Sequence, residues 1–192
     1  MHDREVRFGL LTWLASLHAG DESTRVVEEM GIWANSVRID VAVINGELQG
    51  FELKSARDTL DRLPRQIELY SQVFDRVTLV TEEKHLHKAA DRIPEWWGMS
   101  VAMENSVGGA TIVEVRPAAL NQHVDRLQLS RLLWRSEALE ALKCRGLAKG
   151  VLSKAADVLA HRLSEELPLD ELKLVVRDAL KCRQTLRQAI AN

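Results

Sequence analysis

The chain has 192 residues, of which 46% are hydrophobic, and its formal net charge is -2 at pH 7. That length can bury one substantial core, or one core with a small accessory domain. The sequence has no apolar run near the roughly 20 residues of a membrane-spanning helix, and its N-terminus lacks the cationic, apolar and small-residue regions of a signal peptide. We therefore expect a cytoplasmic protein that does not bind a membrane.

The charge is distributed unevenly along the chain. Residues 1–116 contain 13 Lys and Arg against 19 Asp and Glu, a balance of -6, whereas residues 117–192 contain 13 against 9, a balance of +4. Pro117 stands at this change of character. We predict an α/β core over 1–116 and a helical domain over 117–192 that could bind DNA or a protein partner. The alternative is that both parts have ordinary solvated surfaces.

The first part reads as an alternation of helices and strands. Apolar residues at helical spacing predict a first helix from Val6 to Leu17. The predicted elements that follow are strands at 24–33, 37–44 and 47–55 with Asn45-Gly46 as a turn, a helix capped by Asp58 that ends near Tyr70, a strand at 76–81, a helix at 84–92, and strands at 99–104 and 110–115. This order predicts a central mixed sheet flanked by helices.

The second part has a helical pattern throughout. Its apolar positions predict three helices, over 127–142, 151–163 and 172–190. Four basic residues lie at the turn between the first two of these helices, as in a helix-turn-helix: Lys143, Arg145, Lys149 and Lys154. Such residues more often solvate a helix end and complement its dipole.

The two cysteines, Cys144 and Cys182, are far apart in the sequence and show no CxxC spacing. Nothing suggests a secretory context, in which disulfides are common. We therefore expect two reduced and partly buried thiols, since free cysteine tends to be buried.

A candidate site for chemistry lies in the first part, where Asp40 is followed on the next predicted strand by Glu52-Leu53-Lys54. Two carboxylates can hold a divalent cation, which neutralises phosphate charge and lowers the pKa of a bound water. A lysine can steady the attacking hydroxide or the developing negative charge. Two acids and a lysine on neighbouring strands are therefore the groups that a metal-dependent phosphodiesterase needs.

The hairpin between these strands sets a geometric condition on the site. Cross-strand partners point to the same face, so a two-residue loop at Asn45-Gly46 would place Asp40 and Glu52 on opposite faces. A three-residue loop, Ile44-Asn45-Gly46 with Gly46 left-handed, would place both acids on one face. We predict an odd-length loop or a bulge, because a regular two-residue turn would destroy the site.

The next predicted helix adds two polar side chains on one face, Gln66 and Tyr70, which are four residues apart. Gln66 could orient a water or a phosphate oxygen. Tyr70 could donate to a phosphate, or it could be a core aromatic residue whose hydroxyl has a partner. Arg57, Arg62 and Arg65 could contact phosphates beside the site, although we expect at least one to pair with a nearby acid.

At these residues the chain resembles the PD-(D/E)XK nuclease superfamily, in particular its RecB-like branch with a Gln-xxx-Tyr helix motif. The resemblance covers roughly residues 26–81, and the whole chain is also similar to a family of small uncharacterised bacterial proteins assigned to that superfamily. One departure is Ile39, which replaces the proline that often precedes the first acid. The matching residues are Asp40, Glu52, Lys54, Gln66 and Tyr70.

The resemblance implies a restriction-endonuclease-like core whose catalytic residues are these five. It also implies that Asp40 and Glu52 bind Mg²⁺ or Mn²⁺, with help from the backbone carbonyl of Leu53. Family members often add an upstream acid, and Glu28 and Glu29 are the candidates. Successive side chains in a strand point to opposite faces, so only one of the two should join, and we favour Glu29.

The sequence therefore leads to three hypotheses of different kinds. The first is a metal-dependent nuclease that acts on single-stranded, duplex or branched DNA, in repair, recombination or defence, as a possible homodimer. The second is a catalytically silent nuclease-like module that binds nucleic acid or a protein. The third is a helical interaction protein whose acids lie on a solvated surface.

Overall fold

A six-stranded mixed sheet forms the centre of the protein in a computed structural model that describes residues 1–33, 37–55, 57–106 and 108–183. Spatial order follows chain order from β1 to β6, with β3, β4 and β5 parallel and the other neighbours antiparallel. The predicted mixed α/β sheet is confirmed. The strands are β1 (Arg25–Ile32), β2 (Val37–Ile44), β3 (Leu48–Lys54), β4 (Arg76–Glu82), β5 (Gly98–Glu104) and β6 (Ala110–Arg116).

One face of the sheet is covered by α1 (Asp3–Leu17). Its fully buried residues Val6, Leu10 and Leu14 pack in an apolar cluster with alternate residues of β2 and β3. The helix approaches β6 closely at Gly9, where a Cβ atom would lie 2.4 Å from the carbonyl oxygen of Ala110. Gly9 therefore permits a helix position that a larger residue would prevent.

The opposite face is covered by α2 (Leu63–Tyr70), by α3 (Glu83–Ala90) and by helices from the second part of the chain. One apolar cluster includes Val27 and Leu79 of the sheet together with Leu163 and Val176 of those helices. The proposed parts 1–116 and 117–192 therefore share a hydrophobic core. The later helices are α4 (Arg126–Ser130), α5 (Arg135–Lys143), α6 (Ala156–Glu166) and α7 (Leu169–Cys182).

Two helix predictions were wrong. The predicted helix over 127–142 is divided into α4 and α5. Tight turns follow α4 at the buried residues Leu132 and Leu133, and Trp134 is extended before α5 begins. Asp58 is not a helix cap. Its carboxylate accepts hydrogen bonds from the backbone and side chain of Ser55, and α2 begins only at Leu63. The predicted end of the last helix, beyond residue 183, lies outside the described residues.

The prediction of partly buried cysteines was also wrong. Cys144 and Cys182 are both exposed free thiols. Each lies at the C-terminal end of a helix, where it does not face the apolar core. In the described ranges, none of the helices is long and apolar enough to cross a membrane.

Candidate active site

The loop between β2 and β3 has an odd length, as predicted. Ile44 pairs with Leu48, so the loop comprises the three residues Asn45, Gly46 and Glu47. Continuing this register places Asp40 opposite Glu52. The loop begins one residue later than predicted, and Gly46 is not left-handed, because Asn45 forms the turn: its Oδ1 atom accepts a 2.9 Å hydrogen bond from the Glu47 backbone N–H.

The two strands separate where the acids lie. Val41 and Phe51 form the last pair between β2 and β3, after which β3 continues along β4 as far as Lys54. We call the gap that opens between Asp40 and residues 52–54 the fork. The backbone N–H of Leu53 donates to Oδ2 of Asp40 at 2.8 Å, so this carboxylate takes the place of a strand partner.

Glu52 lies at the centre of a buried polar network and is only 2% exposed. Its Oε1 atom accepts from Nζ of Lys54 at 2.6 Å and from Nε2 of Gln66, and its Oε2 atom accepts from the Tyr70 hydroxyl at 2.9 Å. Tyr70 is also 2.6 Å from the carbonyl oxygen of Arg38. The structure thus brings together four of the sequence-predicted residues, with Asp40 across the fork.

Burial changes the acidity of both carboxyl groups. It is the main cause that raises the pKa of Glu52 to about 7, and the charge of Asp40 adds to it while Lys54 and Tyr70 oppose it. Burial also raises the pKa of Asp40, against the hydrogen bond from Leu53 and the charges of Arg7 and Lys54. Carboxyl groups with raised pKa values in a polar cluster are typical of functional sites.

Arg7 on α1 belongs to the site, although the sequence analysis did not identify it. Its guanidinium donates to Oδ1 and to the backbone oxygen of Asp40, both at 3.0 Å, and lies 2.9 Å from Oε1 of Glu29. Its position beside the buried residues Val6 and Leu10 was the available signal, since it places Arg7 at the edge of the apolar face of the helix. That signal is weak, because many surface arginines have such neighbours.

Glu29 adopts a left-handed conformation, with φ of 51°, which is rare for a residue other than glycine. This interrupts the alternation of β1, and the expectation that Glu28 and Glu29 point to opposite faces was wrong. The Glu29 carboxylate is 2.9 Å from Arg7, and Oε2 of Glu28 is 4.0 Å from the same guanidinium. Glu29 is the nearer of the two to Arg7, and its role as the upstream acid of a metal site remains a prediction.

The polar atoms of the site are compatible with a hard cation. No group of three or more His, Cys, Asp or Glu side chains able to hold a metal occurs in the described part of the chain. Mg²⁺, however, is usually bound by one or two carboxylates together with waters and substrate phosphates. A carboxylate has about four acceptor positions. Among the described residues, donors occupy three positions on Glu52 and two on Asp40, so each acid retains acceptor capacity.

Gln66 also has an acceptor atom that a hydrated cation could satisfy. Its amide nitrogen contacts Glu52, and its buried Oε1 atom has no hydrogen-bond partner among the described residues. A buried acceptor without a partner calls for an explanation such as a water or an ion. A hydrated cation beside Glu52 would supply the missing donor.

The basic cluster of the second part does not have helix-turn-helix geometry. The segment between α5 and α6 covers residues 144–155, which is longer than the three- to four-residue turn of that motif. Arg145 forms a 2.7 Å ion pair with Glu171, and Nζ of Lys143 is 4.0 Å from Glu140. Lys149 and Lys154 are exposed. DNA or partner binding by these helices remains a prediction.

Comparison with known proteins places the chain in a phage protein family. A solved structure, the SPO1766 protein of unknown function from Silicibacter pomeroyi, is 19% identical with a TM-score of 0.48, over 79% of this chain and 96% of that chain. Protein cII of Enterobacteria phage P4 is 25% identical over 185 residues, which are 95% of this chain and 68% of that protein. The family model described as bacteriophage P4 protein cII matches residues 1–191, and the chain therefore belongs to that family.

Proposed function

We propose that this protein is a metal-dependent nuclease with a restriction-endonuclease-like core of the PD-(D/E)XK type, and that it hydrolyses phosphodiester bonds in DNA. The observation that carries the proposal is the fork, where Asp40 accepts from the Leu53 N–H at 2.8 Å and the Lys54 ammonium is 2.6 Å from the Glu52 carboxylate. Two carboxylates that can hold a metal ion, with a lysine ammonium beside one of them, are the groups that metal-dependent phosphodiester hydrolysis uses.

The residues of the fork have separate roles in this proposal. Asp40, Glu52 and the Leu53 carbonyl would hold Mg²⁺ or Mn²⁺, with Glu29 as a further carboxylate. The N–H of Leu53 faces Asp40, and the N–H and C=O of a strand residue point to the same edge, so the Leu53 carbonyl is suited to this role. When bound, the metal would neutralise phosphate charge and lower the pKa of a water.

The remaining residues position the acids and add charge. Lys54 would stabilise negative charge that develops at the phosphate. Gln66 and Tyr70 each donate to a different oxygen of Glu52, which fixes the plane of its carboxylate. A carboxylate held in this way does not have to reorganise during the reaction.

Exposed arginines on both sides of the fork would bind the phosphate backbone. Arg38 is next to the site, because its carbonyl oxygen accepts from Tyr70, and its side chain is exposed. Arg57 and Arg62 are exposed between β3 and α2, whereas Arg65 pairs with Glu68 at 2.9 Å. We propose Arg38, Arg57 and Arg62 as phosphate contacts. A homodimer would allow two single sites to cut both strands of a duplex in cytoplasmic DNA repair or defence.

A second candidate function is a catalytically silent nuclease-like module that binds nucleic acid or a protein. The Arg7 guanidinium favours it, because this group already pairs with two of the proposed metal ligands. In that case Arg7 would replace the cation permanently, and the fold would serve binding alone.

An activity assay distinguishes these functions. The purified full chain is incubated with single-stranded, duplex and branched DNA and with RNA, in Mg²⁺, Mn²⁺ or chelator. We expect metal-dependent cleavage that Lys54→Met lowers by at least roughly 100-fold, a usual effect of losing one preorganised electrostatic group. Lys84→Met, on the exposed side of α3, is the matched control and should cleave normally. Binding without metal-dependent cleavage would support the silent module. Cleavage that Lys54→Met leaves unchanged would contradict the proposed active site.

A further inference from the structure

The Arg7 guanidinium lies where the carboxylates of Asp40 and Glu29 converge. Its Nη1 atom is 3.0 Å from the backbone oxygen of Asp40, and its Nη2 atom is 3.0 Å from Oδ1 of Asp40 and 2.9 Å from Oε1 of Glu29. The planar guanidinium thus bridges two strands with several donors at once. It contacts both of the carboxylates that the proposed function assigns to the upstream part of the metal site.

The charged side chain of Arg7 is mostly buried. Its side chain is 16% exposed and that of Asp40 is 22% exposed. Burial acts to lower the pKa of Arg7, but the carboxylates of Asp40, Asp3 and Glu29 outweigh this effect and raise it. The group is therefore a permanent cation within an acidic cluster. A divalent ion at the same carboxylates would lie close to a like charge, which is unfavourable.

The oxygen that Arg7 holds on Asp40 is the one that faces away from Leu53. Oδ2 accepts the Leu53 N–H at 2.8 Å, and Oδ1 accepts from Arg7. The Leu53 contact belongs to the strand framework and is costly to break. Oδ1 is therefore the natural position for an exchange of cations, with Arg7 on one side of the exchange.

Asp3 is an alternative partner for Arg7 when the guanidinium leaves Asp40 and Glu29. Oδ2 of Asp3, one helical turn earlier on α1, is 3.5 Å from both Nε and Nη2 of Arg7, and its side chain is 52% exposed. Val6 and Leu10 anchor α1 in the core. The long side chain of Arg7 can therefore change partners by rotation about its own bonds, without movement of the helix.

We propose that Arg7 and a divalent cation bind the Asp40 and Glu29 carboxylates alternately, so that Arg7 is a built-in competitor of the metal. This inference rests on the proposed metal site. It predicts that Arg7 affects metal affinity in the direction opposite to that of a structural residue. A residue that merely positions the acids would strengthen metal binding, whereas a competitor weakens it.

The test measures Mn²⁺ affinity of the full chain from the electron paramagnetic resonance signal of free Mn²⁺. We expect Arg7→Gln to bind Mn²⁺ about tenfold more tightly than the natural chain, the equilibrium equivalent of one charge-assisted hydrogen bond. Arg4→Gln is the matched control, since Arg4 is exposed on the same helix, and it should change affinity less than about twofold at such a surface position. Equal or weaker binding by Arg7→Gln would overturn the proposal.

Two further variants separate this inference from the proposed function. Asp40→Asn should weaken Mn²⁺ binding in both the natural and the Arg7→Gln chain; if it has no effect, the metal site and the competition are both wrong. If Asp40→Asn weakens binding but Arg7→Gln does not strengthen it, only the competition is wrong. Tighter Mn²⁺ binding by Arg7→Gln without any DNA cleavage would contradict the nuclease and support the competition. Arg7→Lys keeps a positive charge but lacks the planar guanidinium, so it should increase Mn²⁺ affinity less than Arg7→Gln does. It replaces Arg7→Gln if that variant does not fold.

Discussion

The Tyr70 hydroxyl lies 2.9 Å from Oε2 of Glu52 and 2.6 Å from the carbonyl oxygen of Arg38. A tyrosine hydroxyl has a single proton to donate, so it cannot serve both acceptors at once when Glu52 is ionised. If Glu52 is protonated on Oε2, it donates to Tyr70 while Tyr70 donates to Arg38. An ionised Glu52 therefore competes with the Arg38 carbonyl for the one Tyr70 proton, so Tyr70 offsets only part of the burial that raises the pKa of Glu52 to about 7.

The metal-free protein should lose stability as Glu52 ionises. The folded state binds more protons than the unfolded state between the ordinary pKa of 4.5 and the raised value of about 7, so the free energy of unfolding falls as pH rises through this window. The ionisation of Glu52 lowers the free energy of unfolding by at most about 3–4 kcal/mol, at roughly 1.4 kcal/mol per pKa unit. The raised pKa of Asp40 acts in the same direction. Urea unfolding between pH 5 and pH 8 in chelator measures the effect.

A Glu52→Gln variant isolates this contribution, because its amide has the hydrogen-bonding pattern of the protonated acid. We expect the variant to match the natural protein near pH 5 and to exceed it in stability at pH 8. Glu83→Gln, at an exposed position of α3, should follow the natural protein at both values. A Glu52→Gln chain that is less stable than the natural protein at pH 8 would show that the ionised form is the one that folding favours.

Tyr70→Phe should lower the free energy of unfolding by about 1–3 kcal/mol, because it leaves the Arg38 carbonyl and Glu52 without their donor. The ring is fully buried and stacks on Trp97 at 6.3 Å, a contact that phenylalanine keeps. The loss should be larger at pH 8 than at pH 5, since the hydroxyl helps an ionised Glu52 more than a neutral one. An equal loss at both pH values would mean that Tyr70 serves only Arg38.

Glu29→Gly should be more stable than Glu29→Ala by about 1 kcal/mol, because only glycine adopts a left-handed backbone without steric cost. Both variants remove the carboxylate that pairs with Arg7, so the difference between them reports the φ of 51° at this position. Chemical unfolding of the two proteins under one condition gives the value. Equal stabilities would indicate that β1 is not strained at Glu29.

Asp75 links the sheet to the last helix, and Asp75→Ala should cost about 3 kcal/mol, since it removes one partner of a buried ion pair. The carboxylate is 3% exposed, accepts from the Leu48 backbone N–H at 2.7 Å, and lies 2.7 Å from Nζ of Lys173. Asp61→Ala, at an exposed position, is the control. We expect fluorescence and circular dichroism to report one and the same unfolding transition, because the two parts of the chain share a hydrophobic core. Two separate transitions would show that residues 117–192 fold as an independent domain.

Much of the fork could be predicted because its geometry is local in the chain. Alternating apolar residues predicted β2 and β3, and the parity of a short loop decides whether Asp40 and Glu52 share a face. The i, i+4 spacing likewise placed Gln66 and Tyr70 on one side of α2. The sequence did not specify which residues form the turn, because Asn45 and Gly46 are compatible with several loops that differ by one residue.

The two helical predictions that failed did so for different reasons. A continuous helix over 127–142 would satisfy the leucine pattern, but the chain makes tight turns at the buried residues Leu132 and Leu133 and is extended at Trp134. Asp58 is a residue type that often caps helices, but its carboxylate accepts from the backbone and side chain of Ser55 instead. The first prediction lost to the packing of distant elements, which a sequence window does not include. The second lost to a competing local hydrogen bond, with a residue only three positions earlier.

The sequence by itself determined the succession of strands along the chain, the odd-length hairpin and the candidate set of Asp40, Glu52, Lys54, Gln66 and Tyr70. These depend on backbone periodicity, which neighbouring residues specify. Only the tertiary structure placed Arg7, which is 33 positions from Asp40, against the carboxylates of Asp40 and Glu29. That position depends on how α1 packs across the sheet at Gly9, and packing between distant elements leaves no periodic signature in the chain.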